Sequence, residues 1–315
     1  MTVVVTGALG FLGSNVVRAL AASGTDVVAV DRREPDEVAH GYLAGVAGHV
    51  THVQGDVSAA DWAGPAVPAD AVIHAAAATP MGPEDEARGA GAAASVNVTG
   101  TANVVAWAIS AGVRRIVVVS SAAVYGPALG PTGIDESTPT APDTVYGITK
   151  LAGERLAGRL ADLAGSEFVV ARCSHLFGPM ERPSPSRARL SPVHGWVNAL
   201  LVGEPMQTAT GRLARDFLYV VDAAEALLAM LSAPLGAERV FNVASGTSLT
   251  DAEALAVLAS LDPSSRTVVE DRGEVASRPP LRIDRMEAWA GWAPRFDFAA
   301  GCREYVAWRR SGAVA

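Results

Sequence analysis

The sequence has few residues of several kinds, and each shortage excludes a class of protein. Two of its 315 residues are cysteine, Cys173 and Cys302, and its 6 histidines form no HExxH or CxxC pattern, so we expect no metal. The net charge of −8 disfavours nucleic acid as a partner. No apolar run reaches the ~18 residues that span a membrane. Since the N-terminus has no basic n-region, we expect no signal peptide and a soluble, cytoplasmic protein.

Lysine is the scarcest charged residue, because Lys150 is the only one among 25 basic residues. It lies in the segment YGITK, four residues after Tyr146, and residues at this spacing share one face of a helix. A compact ammonium beside a phenol favours the phenolate and can also hold ribose hydroxyls. A tyrosine with a lowered pKa can exchange a proton with a carbinol oxygen while hydride moves to nicotinamide. The alternative is an ordinary amphipathic surface helix.

The first half of the sequence alternates short apolar runs with helical patterns. Runs without polar alternation predict buried parallel strands, and helix-length spacers predict crossovers on both faces of one sheet. The fold class is therefore α/β, a doubly wound, Rossmann-like parallel sheet. The predicted strands are 3–7, 26–31, 50–57, 70–77, 114–121, 167–172 and 240–245, and helices are predicted over 12–22, about 91–111 and 144–164.

The regular alternation of strands and helices ends after Arg172. The segment 178–192 contains four prolines, which predicts an irregular loop. We expect residues 1–178 and about 215–246 to form the cofactor-binding domain. Residues of about 179–214 and 247–315 are predicted to form a smaller, discontinuous C-terminal substrate domain.

A glycine-rich turn follows the first strand and opens the first helix. Gly7, Gly10 and Gly13 stand in TGALGFLG, where small residues let the backbone approach a pyrophosphate at a helix N-terminus. Asp31 ends the second strand, where a carboxylate holds ribose hydroxyls and repels a 2′-phosphate, so NAD is favoured over NADP. Arg32 and Arg33 leave NADP open as the alternative. Asp56 is a candidate acceptor for the adenine amino group or, alternatively, a helix cap.

These motifs occur in an order that resembles the extended short-chain dehydrogenases/reductases, the NAD-dependent epimerase/dehydratase family that includes UDP-galactose 4-epimerase. The shared segments include TGALGFLG, NVTGT, SSAAVYG, YGITK and RDFLYVVDAAEAL. The resemblance implies that Ser121 hydrogen-bonds the reacting hydroxyl, Tyr146 is the acid/base and Lys150 is its partner, whereas Tyr125 is not the catalytic phenol. It implies cofactor contacts by Gly7, Gly10, Phe11, Leu12, Gly13, Asp31, Arg32, Asp56, Val57, Ala75, Ala76, Ala77, Asn97, Tyr146, Lys150 and Cys173.

Departures from the family pattern narrow the predicted reaction. Nucleotide-sugar 4,6-dehydratases of the family carry an acidic pair where this chain has Ala122 and Ala123, and decarboxylating relatives keep a glutamate there. The resemblance therefore implies a nucleotide-sugar epimerase, acting at C4 through tightly held NAD. The alternative is an NAD(P)-dependent dehydrogenase or reductase of a sugar, sugar acid or natural-product hydroxyl. A non-catalytic cofactor sensor is disfavoured by the intact serine, tyrosine and lysine.

The substrate is predicted to be anionic. Residues 172–215 contain six arginines and two acids, which predicts a basic patch. Solvated surface arginines are the alternative. The resemblance implies substrate contacts by Thr79, Ser121, Tyr146, His175, Arg182, Arg215 and Arg272, with His175 in place of the usual asparagine. It also implies a homodimer that pairs through the helices at about 91–111 and 144–164.

Overall fold

The computed structural model describes residues 1–127, 133–270 and 279–312. Its largest element is a parallel sheet of seven strands, in the order β11-β6-β5-β4-β1-β2-β3. These strands are β1 (Thr2–Thr6), β2 (Asp26–Asp31), β3 (Val50–Gln54), β4 (Ala71–His74), β5 (Arg115–Ser121), β6 (Glu167–Cys173) and β11 (Val240–Val243). The predicted doubly wound sheet is confirmed, including the return of the 240–245 segment to its edge.

Twelve helical segments are present in the described residues. They are α1 (Phe11–Ala22), α2 (Glu37–Leu43), α3 (Pro83–Ala94), a π-helix (Ser95–Gly100), α4 (Thr101–Ser110), a 3-10 turn (Ala122–Tyr125), α5 (Val145–Ala164), α6 (Pro192–Val202), α7 (Val220–Ser232), α8 (Asp251–Ser260), α9 (Asp284–Ala290) and α10 (Phe298–Arg310). The predicted helix 91–111 is thus the end of α3, the π-helix and α4.

The sheet is buried because helices cover both of its faces. On one face α1, α7 and α9 pack on residues such as Val5 and Ile73, and on the other α4 and α5 pack on residues such as Val4 and Val72. Because successive side chains of a strand point to opposite faces, both faces need apolar residues. This explains the uninterrupted apolar runs of the sequence.

A separate hydrophobic cluster lies among α6, α8 and α10, with Phe177 and Phe217 at its centre. Its short strands are β7 (His175–Phe177), β8 (Met206–Thr208), β9 (Ala214–Arg215), β10 (Phe217–Tyr219), β12 (Leu249–Thr250) and β13 (Thr267–Val269). These elements come from the segments predicted to form the smaller domain and from strands flanking them. The exact division into two domains stays a prediction.

Among the described residues, the helical stretch Pro83–Ser110 has the length and composition of a helix that could cross a membrane. Of the 18-residue window that meets this criterion, 44% is buried. Core helices of globular proteins pass the same test, and this stretch covers the sheet. The cytoplasmic location stays a prediction.

Candidate active site

The strand order reverses between β1 and β4, and the site lies at the carboxyl ends of the strands around this point. Such a switch point opens a crevice in a parallel α/β sheet. Ser121 is the last residue of β5 and pairs in register with Cys173, the last residue of β6. The Ser121 hydroxyl accepts a hydrogen bond from the backbone N–H of Ala123 at 3.2 Å, which fixes the serine at the start of the 3-10 turn.

Helix α5 brings Tyr146 to this serine. The Thr144 hydroxyl caps the helix by accepting from the N–H of Gly147 at 3.1 Å. A Cβ on Gly147 would lie only 2.6 Å from the carbonyl oxygen of Ala123, so glycine lets the first turn of α5 approach the 3-10 turn. As a result the Tyr146 phenol lies next to the Ser121 hydroxyl, close enough for that hydroxyl to lower the pKa of the phenol. The structure therefore brings together two of the three predicted catalytic groups.

The electrostatics of Tyr146 differ from the expectation. Burial raises the pKa of the phenol, while the Ser121 hydrogen bond and the charge of Arg187 act to lower it. The prediction that the pKa of Tyr146 is lowered is therefore wrong. The outcome follows from desolvation, which a spacing of four residues does not reveal.

Lys150 lies one turn further along α5 and is 4% exposed. Burial lowers the pKa of its ammonium to about 8, and the neighbouring Glu154 and Cys173 oppose this shift. On the β4 side, the same ammonium lowers the pKa of His74, although burial contributes more. Lys150 is thus a buried cation at the carboxyl ends of β4 and β6.

Sequence reasoning missed a buried polar group behind Lys150. The Glu154 carboxylate accepts two hydrogen bonds from Arg172, at 3.1 and 2.7 Å, and one from the Ser120 hydroxyl. The Arg172 guanidinium lies 4.9 Å from the ring centroid of Tyr125. Two features of the sequence could have revealed this group. Glu154 follows Lys150 by four residues, and Arg172 interrupts an apolar strand.

The phenol of Tyr125 has a structural role in this network. It is 1% exposed and donates to the side-chain oxygen of Asn242 at 2.7 Å. It therefore connects β11 to the 3-10 turn, in agreement with the prediction that it is not the catalytic phenol.

The glycine turn forms a cradle that larger residues would fill. Gly7 has φ +67°, and a Cβ on it would lie 2.6 Å from the Cα of Ala76. A Cβ on Gly13 would overlap the carbonyl oxygen of Gly7. Gly10 precedes α1 without a side chain to cap it, so the first N–H groups of the helix, at Phe11 and Leu12, are suited to an anion. This geometry fits a dinucleotide pyrophosphate.

Asp31 lies beside this cradle, as predicted for a ribose ligand. Its carboxylate accepts from the N–H groups of Leu9 and Arg33 at 3.0 and 3.1 Å. The Arg33 side chain is held by the same carboxylate and by the carbonyl of Leu9, at 3.4 and 2.8 Å. One of the two arginines that would favour NADP is therefore engaged, whereas Arg32 is exposed.

The other predicted cofactor residues border the cradle or pack beneath it. Asp56 accepts from the N–H and hydroxyl of Ser58 at 2.9 and 2.6 Å, so its Oδ1 caps a local turn and not a helix, as the alternative had it. Val57 is buried against Gly100. The N–H of Ala75 donates to Thr6 at 3.1 Å, which sets the 75–77 segment next to Gly7. Direct contacts of these residues with a cofactor stay predictions.

Asn97 and Thr79 position loops at the crevice. The buried Asn97 amide binds both backbone groups of Ala78 at 2.8 Å and donates to the Thr149 hydroxyl at 3.0 Å. Thr79 donates through its N–H and its hydroxyl to the carbonyl of Ser186, at 2.8 and 3.1 Å. Both residues thus hold the segment after β4, and their contacts with cofactor or substrate stay predictions.

The predicted basic patch is largely neutralised. Arg182 makes two hydrogen bonds to Asp36, at 2.7 and 3.2 Å, and Arg215 makes two to the buried Asp251, at 2.9 and 3.3 Å. Arg172 is buried with Glu154, so it belongs to no surface patch. For these three arginines the prediction of a basic patch is wrong, because carboxylates from other segments pair with them.

His175 and Arg272 are the two remaining residues that were predicted to contact the substrate. The centroid of the His175 ring lies 6.4 Å from that of the Phe217 ring, and the two rings pack edge to face. Arg272 lies outside the described residues. Among the described residues no group of three or more histidine, cysteine or acidic side chains could hold a metal ion.

Comparison with known proteins places this site in a family. The family model described as "NAD dependent epimerase/dehydratase family" matches residues 3–244. A dTDP-glucose 4,6-dehydratase of Streptomyces niveus is 31% identical, over 98% of this chain and 93% of its own. The chain belongs to the NAD-dependent epimerase/dehydratase family.

Solved structures agree with this assignment. MoeE5 in complex with UDP-glucuronic acid and NAD is 29% identical, with a TM-score of 0.82 and coverage of 99% of this chain and 100% of its own. UDP-glucose 4-epimerase of Thermotoga maritima shares the fold at 23% identity, with a TM-score of 0.84 and 99% coverage of both chains. The protein is thus an NAD-dependent enzyme of the extended short-chain dehydrogenase/reductase type. The glycine cradle and Asp31 fit the cofactor of the epimerase/dehydratase family.

Proposed function

We propose that the protein is an epimerase of a nucleotide sugar, acting at C4 through tightly held NAD. The observation that carries this proposal is the convergence of Ser121, Tyr146 and Lys150 beside the glycine cradle, with alanine at positions 122 and 123. That set supports oxidation and reduction of a carbinol but supplies no additional acid or base in the 3-10 turn. Returning the hydride to the opposite face of the sugar then inverts the carbon.

The chain's own groups handle the proton of the reacting hydroxyl. Ser121 and Tyr146 lie next to each other, so we expect a sugar hydroxyl to bind between their oxygens. Tyr146 takes the hydroxyl proton as the carbinol is oxidised and returns it as the carbonyl is reduced. NAD held by the glycine cradle and Asp31 would supply the hydride acceptor of the oxidation and the hydride donor of the reduction. Lys150 supplies a buried positive charge that favours the phenolate and can hold the ribose hydroxyls.

Curated relatives support a second reaction, the elimination of water. Three of the most similar, at 30 to 31% identity, are dTDP-glucose 4,6-dehydratases. Elimination needs an acid and a base beside the sugar ring, and the two 3-10 turn positions that carry them in dehydratases are Ala122 and Ala123. We therefore infer that this chain does not catalyse 4,6-dehydration.

A dehydrogenase or reductase is the other candidate, since His175 replaces the asparagine usual in sugar-nucleotide enzymes and packs on Phe217. Such an enzyme would exchange its cofactor at every turnover, whereas an epimerase retains NAD through both half-reactions.

The test is to purify the protein, look for copurified NAD by its absorbance, and assay UDP-, dTDP- and GDP-sugars, then free sugar acids. The proposal expects bound NAD and a C4 epimer identified by NMR, with no net NADH. A 4-keto-6-deoxy product would establish the dehydratase, and stoichiometric NADH with an oxidised sugar would establish the dehydrogenase.

We also propose a homodimer that pairs through α4 and α5. The exposed face of α5 carries Ile148, Leu156 and Leu163, which are 51%, 38% and 66% exposed. Their spacing of eight and seven residues places them in one apolar stripe. A stripe of this kind on a long helix favours association with a second copy.

A further inference from the structure

A buried carboxylate, that of Glu154, joins three elements that carry groups of the site. It lies on α5, one turn after Lys150, and the residue is 6% exposed. It accepts hydrogen bonds from Ser120, the neighbour of Ser121 on β5, and from Arg172, near the end of β6. The carboxylate therefore holds α5 against the ends of both strands.

Arg172 supplies the positive charge that balances this carboxylate. Its Nε and Nη2 donate to the two oxygens of Glu154 at 3.1 and 2.7 Å, a bidentate geometry that suits a carboxylate. Burial acts to lower the pKa of Arg172, but the hydrogen bonds and the charge of Glu154 raise it above its usual value. The two side chains therefore form a buried ion pair.

Stability alone does not explain an ion pair in this place. Replacing a buried pair by apolar residues of similar volume is often neutral or stabilising, because burial desolvates both charges. The strand residues before Arg172, from Phe168 to Ala171, are apolar and buried. An apolar pair would therefore suit this part of the core at least as well, and the charges point to a role beyond packing.

The titratable groups around Lys150 differ in charge near neutral pH. Burial raises the pKa of the Cys173 thiol on β6 to about 12, and it lowers the pKa of His74 on β4 to about 3. Burial also raises the pKa of the Tyr146 phenol, one turn earlier on α5. These three groups are neutral at pH 8, so Glu154 supplies the negative charge beside Lys150.

We propose that Glu154, held by Arg172, is a positioning residue that keeps Lys150 in its charged form beside the reacting groups. This role rests on the proposed function, in which the positive charge of Lys150 favours the phenolate of Tyr146. Burial lowers the pKa of the ammonium to about 8, and the charge of Glu154 opposes this fall. Without the carboxylate, Lys150 would lose its proton at a lower pH.

The titration of Lys150 can be observed directly, because it is the only lysine of the chain. Protein grown with lysine that carries ¹³C at Cε gives a single lysine side-chain signal in NMR, and its chemical shift reports the charge of the ammonium. We compare wild type with Glu154→Gln, both saturated with NAD, between pH 6 and pH 10. Since an opposite charge within ~4–6 Å favours the charged form, the midpoint of Glu154→Gln should lie about one pH unit or more below that of wild type.

Asp251→Asn is the matched control. Asp251 is 1% exposed and, like Glu154, accepts two hydrogen bonds from an arginine, Arg215, and others from hydroxyl groups. It begins α8, in the hydrophobic cluster with α6 and α10, so its loss should leave the midpoint of Lys150 at the wild-type value. A midpoint of Glu154→Gln that equals the control's overturns the proposal.

A double variant guards against misfolding, since Glu154→Gln leaves the Arg172 guanidinium buried without its counterion. Glu154→Leu together with Arg172→Met replaces the pair by apolar residues of similar size, and it should keep a melting temperature close to that of wild type. Its Lys150 midpoint should still lie below the wild-type midpoint, because the carboxylate is absent. A wild-type midpoint in this variant overturns the proposal, because the pair would then serve only stability.

Turnover should follow the same titration. For a midpoint lowered by one pH unit, the rate of Glu154→Gln relative to wild type should fall roughly tenfold between pH 6 and pH 9. A relative rate that does not change with pH overturns the proposal. Wild-type protein that forms no epimer contradicts the proposed function instead, and the titration of Lys150, which needs no substrate, then still decides the role of Glu154.

Discussion

Lys150 allows a test of whether the site needs a lysine or only a positive charge, because Lys150→Arg keeps the charge. Its ammonium is buried between β4 and β6, so the broader, planar guanidinium of Lys150→Arg would meet Cys173 and Glu154. We expect turnover to fall by roughly 10²–10⁴-fold, the range of positioned proton-transfer groups.

Tyr146→Phe is the matched variant, since it removes only the phenol oxygen. It should lose a similar factor in turnover while NAD still binds, as measured by calorimetry. If Lys150→Arg stays within a few-fold of wild type, the role assigned to this lysine is wrong.

His74 predicts how stability depends on pH. Its Nδ1 contacts the Thr6 hydroxyl at 2.7 Å and its Nε2 the Thr101 hydroxyl at 3.0 Å, and burial followed by the charge of Lys150 lowers its pKa to about 3. Below pH 6.5 the unfolded chain binds a proton here that the folded chain does not bind. Stability is therefore lost as pH falls from 6.5 toward 3, by about 2 kcal/mol at pH 5 for this group.

The measurement is urea unfolding at pH 7 and pH 5 for wild type and His74→Gln. The variant lacks the titrating ring, so it should lose about 2 kcal/mol less than wild type between the two values. Equal losses in both proteins would show that His74 does not stay neutral in the folded state.

At the scale of elements, the approach of α5 to the π-helix depends on one glycine. A Cβ on Gly153 would lie 2.5 Å from the carbonyl oxygen of Asn97, and backbone cannot move aside easily. Gly153→Ala should therefore destabilise the protein by about 1–3 kcal/mol, the usual cost of overpacking. It should also disturb the loop that Asn97 holds.

Gly158 provides the control on the same helix. A Cβ there would lie 3.6 Å from the Phe168 ring, an ordinary contact. Gly158→Ala should stabilise by about 0.5–1 kcal/mol because alanine restricts the unfolded chain. Thermal unfolding of the two variants would contradict this account if both shifted the midpoint in the same direction.

The strands and helices were predictable from the sequence where residues close together in the chain determine them. The buried strands appeared because runs such as 3–5 and 116–119 are apolar on both faces, and α5 because Thr144 and Gly165 bound it. The π-helix was not predictable, since the extra residue per turn is fixed by the contacts of Asn97 with Ala78 and Thr149, which are distant in sequence.

At the scale of the whole molecule, the site also has parts that the sequence predicted and parts that it did not. The Tyr146–Lys150 pair and the glycine turn are local, and the sequence predicted where they lie. The arginines are not local, because Arg182 pairs with Asp36 and Arg215 with Asp251, whereas Arg187 pairs with Glu181 of its own loop. Which arginine is neutralised depends on carboxylates that come from elsewhere in the chain.

The dimer is the prediction that concerns the molecule as a whole. If α5 pairs with its copy, Leu156→Glu would place a carboxylate in an apolar interface, where an unpaired charge is costly. Wild type should scatter light as a particle of twice the 32.3 kDa chain mass at micromolar concentration, and the variant as a monomer. Val202→Glu is the control, because it changes an apolar residue of α6 that is 70% exposed, and this variant should remain dimeric. A monomeric wild type would contradict the proposal. A dimer that survives Leu156→Glu would place the interface away from the stripe on α5.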